Sequence, residues 1–421
     1  MFKKLTLESG LRIVLVPQLK SLATTILVLV EAGSKYEKKE IRGISHFLEH
    51  MCFKGTEKRP RAIDIASELE GIGAVYNAFT SLEYTGYYAK ARSAHFENIL
   101  DIVSDIYLNQ IFDSNEIEKE KGVIVEEINS IEDIPQRKVQ RMFLELLYGD
   151  QPAGWEIAGT KDSIKNLTRE NFIDYQKQHY LAKSTIVVVA GLFDEEKAVQ
   201  RIKEYFSQIP NSLKGRKIKT IEKQSAPNLL FKKKETEQTH LILGIRAFDA
   251  FDERKYALGV LSSILGGGMS SRLFQKIREE MGAAYYIGAD SDFYTDHGYL
   301  AVYAGVDNSR IEEVVSVVVE ELRKIAKEEV GLKELERVKE HIKGRLVLGL
   351  ETSDQLADFY GDQEVITKKL FTPEQVIEKI QAVTKEQIVE VAGEIIKNEN
   401  LNLALIGPSG DEDKFRRVLK L

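Results

Sequence analysis

Cysteine and long apolar runs are scarce in this chain. Cys52 is the one cysteine among 421 residues, so no disulfide can form within the chain, and a cytoplasmic location is predicted. The N-terminal run LRIVLV is too short for the core of a secretory signal peptide. No window reaches the roughly 18 apolar residues that a membrane span needs. The sequence therefore predicts a soluble protein without a membrane anchor.

An excess of basic charge is also absent. Asp and Glu number 66 against 59 Lys and Arg, which gives a formal net charge of −7. General nucleic-acid binders usually carry a basic face, so this balance argues against that class of protein. The basic run KGRKIK at 214–219 is short and is predicted to be a solvated loop.

The length of the chain suits two or three domains, and 43% hydrophobic with 30% charged residues is an ordinary globular composition. Prolines, a glycine and the basic run indicate a linker over 211–228. We therefore predict an N-terminal domain over 1–210 and a C-terminal domain over 229–421.

Local patterns predict the elements of the first domain. Two β-branched runs, LRIVLVPQ and ATTILVLVEAGS, predict a hairpin that turns at LKSL. The alternating, aromatic-rich segment 74–91 predicts one or two strands, and the apolar periodicity of 93–111 and 114–133 predicts two amphipathic helices.

The second half repeats this order. Its strand segment GYLAVYAGVD is also followed by a long helical pattern and then by a helix with Glu-Leu-Glu near its start, where the first half has Glu-Ile-Glu. The repetition predicts a duplication. The predicted fold class is α+β, with two duplicated domains that each contain a mainly antiparallel sheet packed with helices.

A cluster of chemically active residues lies in GISHFLEHMCFKGT, residues 43–56. His46 and His50 are four residues apart and share one face of a helix, so both imidazoles could bind one ion. Glu49 could reach a water on that ion without being a ligand. Zinc with three protein ligands keeps a position for water and lowers its pKa, and a nearby carboxylate can then accept the proton. This arrangement suits peptide hydrolysis.

A third ligand is expected among the glutamates of 114–133. Glu120 and Glu127 are seven residues apart and so share a helix face. Either could bind the metal while the other fixes an imidazole. The alternative is that the histidines pair with carboxylates on a solvated helix and that these glutamates belong to an ordinary charged face.

The order His-x-x-Glu-His is the inverzincin signature. Together with EKGVIVEEI and LGGGMSSRLFQKIREEMGAAYY, it makes the chain resemble, over nearly its whole length, the catalytic subunit of mitochondrial processing peptidase and its bacterial relatives. Pitrilysin and the insulin-degrading enzyme belong to the same broader group. The resemblance implies that His46, His50 and Glu127 bind one zinc ion per chain, that Glu49 is the general base and that Glu120 supports the site.

The resemblance also implies a substrate site. Arg278 and Tyr285 match the pair that holds the substrate and polarises the scissile carbonyl, although the sequence leaves open whether Tyr285 or Tyr286 faces the site. An edge strand that binds extended peptides by strand addition is matched by Asn77, Ala78 and Phe79.

These residues together predict a zinc-dependent endopeptidase that acts on peptides or extended, unfolded segments. Larger relatives have four such domains around a chamber, whereas this chain has two. We therefore predict a homodimer that encloses a chamber and in which the partner chain completes each active site. The alternative is a non-catalytic structural or binding subunit, a role known in the same family.

Overall fold

The computed structural model describes residues 2–421. The strands are β1 (Lys3–Thr6), β2 (Arg12–Pro17), β3 (Ala23–Val30), β4 (Val75–Thr80), β5 (Thr85–Arg92), β6 (Thr185–Gly191), β7 (Asn228–Lys233), β8 (Gln238–Ala247), β9 (Ala284–Phe293), β10 (Gly298–Asp307) and β11 (Asn402–Gly407).

The α-helices are α1 (Ile44–Met51), α2 (Ala62–Gly71), α3 (Phe96–Leu108), α4 (Ser114–Asp133), α5 (Pro135–Tyr148), α6 (Lys161–Asn166), α7 (Arg169–His179), α8 (Glu195–Tyr205), α9 (Lys255–Gly266), α10 (Ile311–Ile325), α11 (Leu332–Leu348), α12 (Ser353–Ile366), α13 (Pro373–Gln381), α14 (Lys385–Ile395) and α15 (Glu412–Val418). Within residues 2–421, none of these helices has the length and apolar character needed to cross a membrane.

The chain forms two compact units that interleave in sequence. Unit 1 contains the described residues up to 128 together with 155–218 and 347–372, and unit 2 contains 129–154, 219–346 and 373–421. The predicted domains 1–210 and 229–421 are continuous segments, and two helices account for most of the difference. Helix α5 belongs to unit 2, and helix α12 belongs to unit 1.

The sheet of unit 1 has six strands in the order β1-β2-β6-β3-β5-β4. Strands β2 and β6 are parallel, and the other neighbours are antiparallel. The predicted hairpin of β2 with β3 is wrong, because β6 lies between these strands and pairs with both. Every residue of β6 is buried, so it suits a central position that a local reading of β2 and β3 does not reveal.

The sheet of unit 2 repeats this topology in five strands, ordered β7-β11-β8-β10-β9. Its first and last strands in sequence, β7 and β11, form the one parallel pair, as β2 and β6 do in unit 1. The remaining neighbours are antiparallel. The predicted fold class, a duplicated α+β fold with mainly antiparallel sheets packed with helices, is confirmed.

Helix α12 covers one face of the unit 1 sheet. Its Leu356, Ala357 and Tyr360 pack in a buried cluster with Leu27 and Val188. The opposite face of the same sheet packs on α1, α3 and α7. Because both faces are buried, the central strands read as continuous apolar runs without polar alternation. Helix α5 has the corresponding place on the sheet of unit 2, against β8 and β11.

The basic run at 214–219 contributes two lysines to buried ion pairs of unit 1. Lys214 contacts Glu31, and Lys217 contacts Glu83. Both glutamates are buried. The prediction of a solvated loop is therefore wrong for these two lysines, because buried carboxylates need compensating charge and the run supplies it.

Helix α12 is tied to β2 by a buried ion network. The Arg12 guanidinium donates to Glu364 Oε1 on α12 at 3.1 Å and also donates to Glu31. All three side chains are buried. Removing one partner of such a pair is costly, since it leaves a buried charge without compensation.

We expect Arg12→Leu to lower the free energy of unfolding by about 3 kcal/mol, because it leaves Glu31 and Glu364 with less compensation. The matched control is Lys3→Leu, which removes a solvent-exposed pair with Glu195 and should cost less than about 1 kcal/mol. Urea unfolding of both variants measures the difference. Equal destabilisation by the two substitutions would contradict a structural role for the network.

Candidate metal centre

Helix α1 begins at a turn that requires a glycine at its N-cap. Its N-cap, Gly43, has φ 91°, where a side chain would be strained, and an added Cβ would lie 2.6 Å from the carbonyl oxygen of Ala158. The backbone N–H groups of Gly43 and Ser45 donate to the carboxylate of Glu37 at 2.7 and 2.8 Å. Burial raises the pKa of Glu37 to about 7, although these hydrogen bonds oppose the shift. Glu37 thus fixes the start of the helix that carries both histidines.

The two histidines of α1 meet a carboxylate of α4. His46 Nε2 lies 3.6 Å from Glu127 Oε1, and His50 Nε2 lies 3.7 Å from Glu127 Oε2. One donor atom from each of the three side chains lies within 4.8 Å of the others. Two imidazoles and one carboxylate from two helices therefore converge on one point.

Glu120 holds His50 from the side away from this point. Its Oε1 lies 2.9 Å from His50 Nδ1, and its Oε2 lies 2.5 Å from Lys54 Nζ. Burial acts to raise the pKa of Glu120, but the hydrogen bonds from His50 and Lys54 outweigh it, and the pKa is lowered. A carboxylate only accepts, so His50 Nδ1 donates to Glu120, and Nε2 is the ring nitrogen that faces Glu127.

Glu49 is oriented by the strand next to α1. Its Oε2 accepts a hydrogen bond of 2.6 Å from the hydroxyl of Thr80, the last residue of β4. Burial raises the pKa of Glu49, while the Thr80 hydrogen bond opposes the shift. Glu49 is not one of the three converging side chains. It lies directly before His50 in the chain, and the charges of His50 and Glu127 also act on its pKa.

The donor set fits a zinc ion. Zinc in catalytic sites takes imidazole nitrogens and carboxylate oxygens at roughly 2.0–2.2 Å, which places tetrahedral ligand atoms about 3.4 Å apart. The separations of Glu127 from His46 and His50, 3.6 and 3.7 Å, are close to that value. Three protein ligands leave a fourth position for water or substrate.

The other glutamates of α4 lie elsewhere. Glu116 and Glu118 form exposed pairs with Lys119 and Lys121 on the same helix. Glu126 is exposed, although it directly precedes Glu127. Helical rotation of about 100° per residue explains why neighbours in sequence point to different sides.

Arg278 and Tyr285 lie together in unit 2. Arg278, on the π-helical segment Phe274–Glu280, places its guanidinium carbon 4.9 Å from the ring centre of Phe274 and 5.9 Å from that of Tyr285. The pairing of β9 with β10 shifts at Gly305, so that Tyr285 is the extra residue of a β-bulge. Tyr285 is 72% exposed, whereas the hydroxyl of Tyr286 lies 2.9 Å from His240 Nδ1.

The predicted peptide-binding strand is β4, at the edge of the unit 1 sheet. It pairs with β5 along one side only. Ala78 is buried, Asn77 is exposed, and Phe79 packs edge-on against Tyr84. Because β4 ends at Thr80, the strand leads directly to the carboxylate of Glu49.

Three residues that hold the candidate centre in place were not predicted from the sequence, namely Glu37, Lys54 and Thr80. Lys54 follows His50 by four residues, the spacing that separates the two histidines, so the same periodicity could have indicated it. Glu37 and Thr80 reach α1 only through the folding of a loop and a strand. No local spacing points to them.

This chain is similar to known proteins in both sequence and fold. Residues 12–161 match the family described as Insulinase (Peptidase family M16), and residues 166–342 match the Peptidase M16 inactive domain. The uncharacterised zinc protease YmxG of Bacillus subtilis is 36% identical over 98% of this chain and 99% of its own length. A protease from Helicobacter pylori has a crystal structure with TM-score 0.90 at 24% identity, covering 97% of this chain and 99% of that one. A chain of complex III2 from Candida albicans has TM-score 0.86 at 16% identity over 100% of both chains.

The fold and the site define a class of chains with two duplicated α+β units and one candidate metal centre built from two histidines and a glutamate. Within that class, the chain belongs to peptidase family M16. The resemblance seen in the sequence is thereby confirmed.

We expect Glu127→Gln to weaken zinc binding by at least about 100-fold, because even residues that only support a ligand contribute 10–100-fold. Glu126→Gln is the matched control, since it neutralises the adjacent exposed carboxylate, and it should bind zinc like the wild type. Competition with a chromophoric chelator measures both affinities. A larger loss in Glu126→Gln would show that the third ligand has been misassigned.

Proposed function

We propose that this chain is a zinc-dependent endopeptidase that hydrolyses peptides or extended, unfolded segments. The observation that carries the proposal is the convergence of His46, His50 and Glu127 within 4.8 Å, with Glu49 next to them in the chain. Membership of a peptidase family whose relatives are named zinc proteases supports it.

The chain's own residues have separate tasks in this mechanism. His46, His50 and Glu127 would hold the ion, which when bound supplies a water molecule of lowered pKa as the nucleophile and polarises the scissile carbonyl. Glu49 would act as the general base, since its carboxylate can accept a proton from the nucleophile and pass it to the leaving amine. The hydrogen bond from Thr80 keeps the Glu49 carboxylate in the orientation needed for both transfers.

The substrate is proposed to add to β4 as a further strand. Peptide backbone groups would pair with the free edge of that strand near Asn77, Ala78 and Phe79, which tolerates many side-chain sequences. Arg278 and Tyr285 would hold the substrate and stabilise the developing oxyanion. The exposure of Tyr285 at a β-bulge, with the Arg278 guanidinium beside it, supports this assignment to Tyr285 over Tyr286.

A homodimer is proposed as the active form, with one zinc ion per chain. The metal centre belongs to unit 1, whereas Arg278 and Tyr285 belong to unit 2. We propose that unit 2 of one chain completes the centre of its partner inside a closed chamber. Such a chamber admits unfolded peptides and excludes folded proteins.

The second candidate function is that of a non-catalytic subunit. The description of residues 166–342 as an inactive domain and the shared fold with a chain of complex III2 favour this alternative. The full set of His46, Glu49, His50 and Glu127 favours the enzyme, because a purely structural subunit has no need of Glu49.

We expect Glu49→Gln to bind zinc with wild-type affinity and to lose about 10²–10⁴-fold in kcat, because the amide cannot accept a proton. Cleavage of a quenched random peptide library, with and without a chelator, measures activity. Glu118→Gln, on the exposed face of α4, is the matched control and should remain active. A wild-type chain that binds zinc without cleaving any peptide would support the non-catalytic alternative.

We expect a mixture of Arg278→Ala and Glu49→Gln chains to recover about a quarter of wild-type activity. Random pairing makes half of the dimers hybrid, and each hybrid has one complete site out of two. Arg278→Ala mixed with Tyr285→Phe is the control, because every site in that mixture has a defective unit 2. The same low activity in both mixtures would count against sites shared between chains.

A further inference from the structure

We infer that Lys54 is a positioning residue of the metal centre: by holding Glu120, its ammonium group sets the orientation of His50 and the register of α4, and so raises the affinity for zinc. The inference rests on the proposed function for the identity of the ion. It concerns a residue outside the predicted ligand set and outside the proposed chemistry.

The Glu120 carboxylate is held from two sides. His50 Nδ1 lies 2.9 Å from one oxygen, and Lys54 Nζ lies 2.5 Å from the other. With His50 alone, the carboxylate could rotate about its terminal bond and release the imidazole. With both contacts its plane is fixed, and His50 Nε2 is directed toward Glu127 before any ion binds.

The position of Lys54 follows from α1. After the helix ends, the Lys54 N–H donates to the Met51 carbonyl at 3.1 Å, so the chain continues to turn. Lys54 therefore reaches the same side as His46 and His50, at the next four-residue interval. Its side chain remains partly exposed, whereas Glu120 is only 4% exposed, so the ammonium group reaches the buried carboxylate from the solvent side.

The ion pair also sets how α4 meets α1. Glu120 and Glu127 are seven residues apart, about 10.5 Å along the helix and some 20° short of two full turns. Fixing Glu120 against His50 and Lys54 therefore fixes both the rotation and the axial position of Glu127. The distances of 3.6 and 3.7 Å from Glu127 to the two histidines depend on this register.

Charge balance leads to the same assignment. Lys54 compensates the charge of Glu120, so a zinc ion held by His46, His50 and Glu127 would have only the charges of Glu127 and Glu49 to balance. Without Lys54, three carboxylates would surround the two imidazoles with less compensation.

The test compares zinc affinity in full-length Lys54→Met, Lys54→Arg and Lys58→Met chains by competition with a chromophoric chelator. Lys58 is the matched control, because it is an exposed lysine paired with Asp101. We expect Lys54→Met to bind zinc about 10–100-fold more weakly, Lys54→Arg to stay close to the wild type, and Lys58→Met to be unchanged. Nitrogen NMR of 15N-histidine-labelled apoprotein should show the ring signals of His50 at different positions or broadened in Lys54→Met relative to the wild type, because the ring is no longer held in one orientation.

Wild-type zinc affinity and unchanged His50 ring signals in Lys54→Met would overturn the inference while leaving the proposed function intact. Equal weakening in Lys54→Arg and Lys54→Met would also overturn it, because a second cation would then fail to restore the position of Glu120. If Lys54→Met does not fold, Lys54→Gln provides the same comparison without the charge. Wild-type zinc affinity in Lys54→Gln would also overturn the inference. A wild-type chain that binds no zinc would instead remove the proposed function itself.

Discussion

The concentration of negative charge around two imidazoles is the constraint that organises unit 1. Glu120 and Glu127 contact His50, Glu127 also faces His46, and Glu49 interacts electrostatically with His50. Each of the three carboxylates has a different environment. Glu49 accepts a hydrogen bond from Thr80. Glu120 accepts from both Lys54 and His50. Glu127 faces both histidines. Three identical carboxylates thus have three different sets of neighbours, which suits the separate roles of base, support and ligand that we propose for them. Helix α1, helix α4 and strand β4 carry these carboxylates and the Thr80 hydroxyl.

Most side chains of the candidate metal centre can be predicted from the sequence, but few of the residues that hold them in place can. Sequence spacing identifies His46, Glu49 and His50, because all three lie on one helix. The seven-residue interval between Glu120 and Glu127 places both on one helix face for the same reason. Thr80 and Glu37 act through tertiary contacts, which periodicity cannot reveal. The orientations of Tyr285 and Tyr286 likewise follow from a bulge in strand pairing, and a strict strand alternation could not have predicted it.

In the fold as well, features set by neighbouring residues could be predicted from the sequence, whereas features set by residues distant in the chain could not. The predicted helix over 114–133 coincides with α4, because its apolar and charged residues recur at helical spacing. The predicted hairpin failed because β6, more than 150 residues away in sequence, lies between β2 and β3. Lys214 and Lys217 looked like loop charges, since Glu31 and Glu83 are distant in the chain. Helices α5 and α12 pack on strands that are distant in the chain, so the unit to which each helix belongs could not be predicted from local patterns.

The place of α12 in unit 1 has a consequence for biosynthesis. The six strands of its sheet are complete once residue 191 has been made, but the helix that covers one face occupies Ser353–Ile366. At about 5–20 residues per second, the ribosome needs roughly 10–30 s to reach it. During that interval the apolar side chains of Val14, Leu27, Leu29 and Val188 lack their cover. This face of the unit 1 sheet can therefore be buried only after residue 366 has been made.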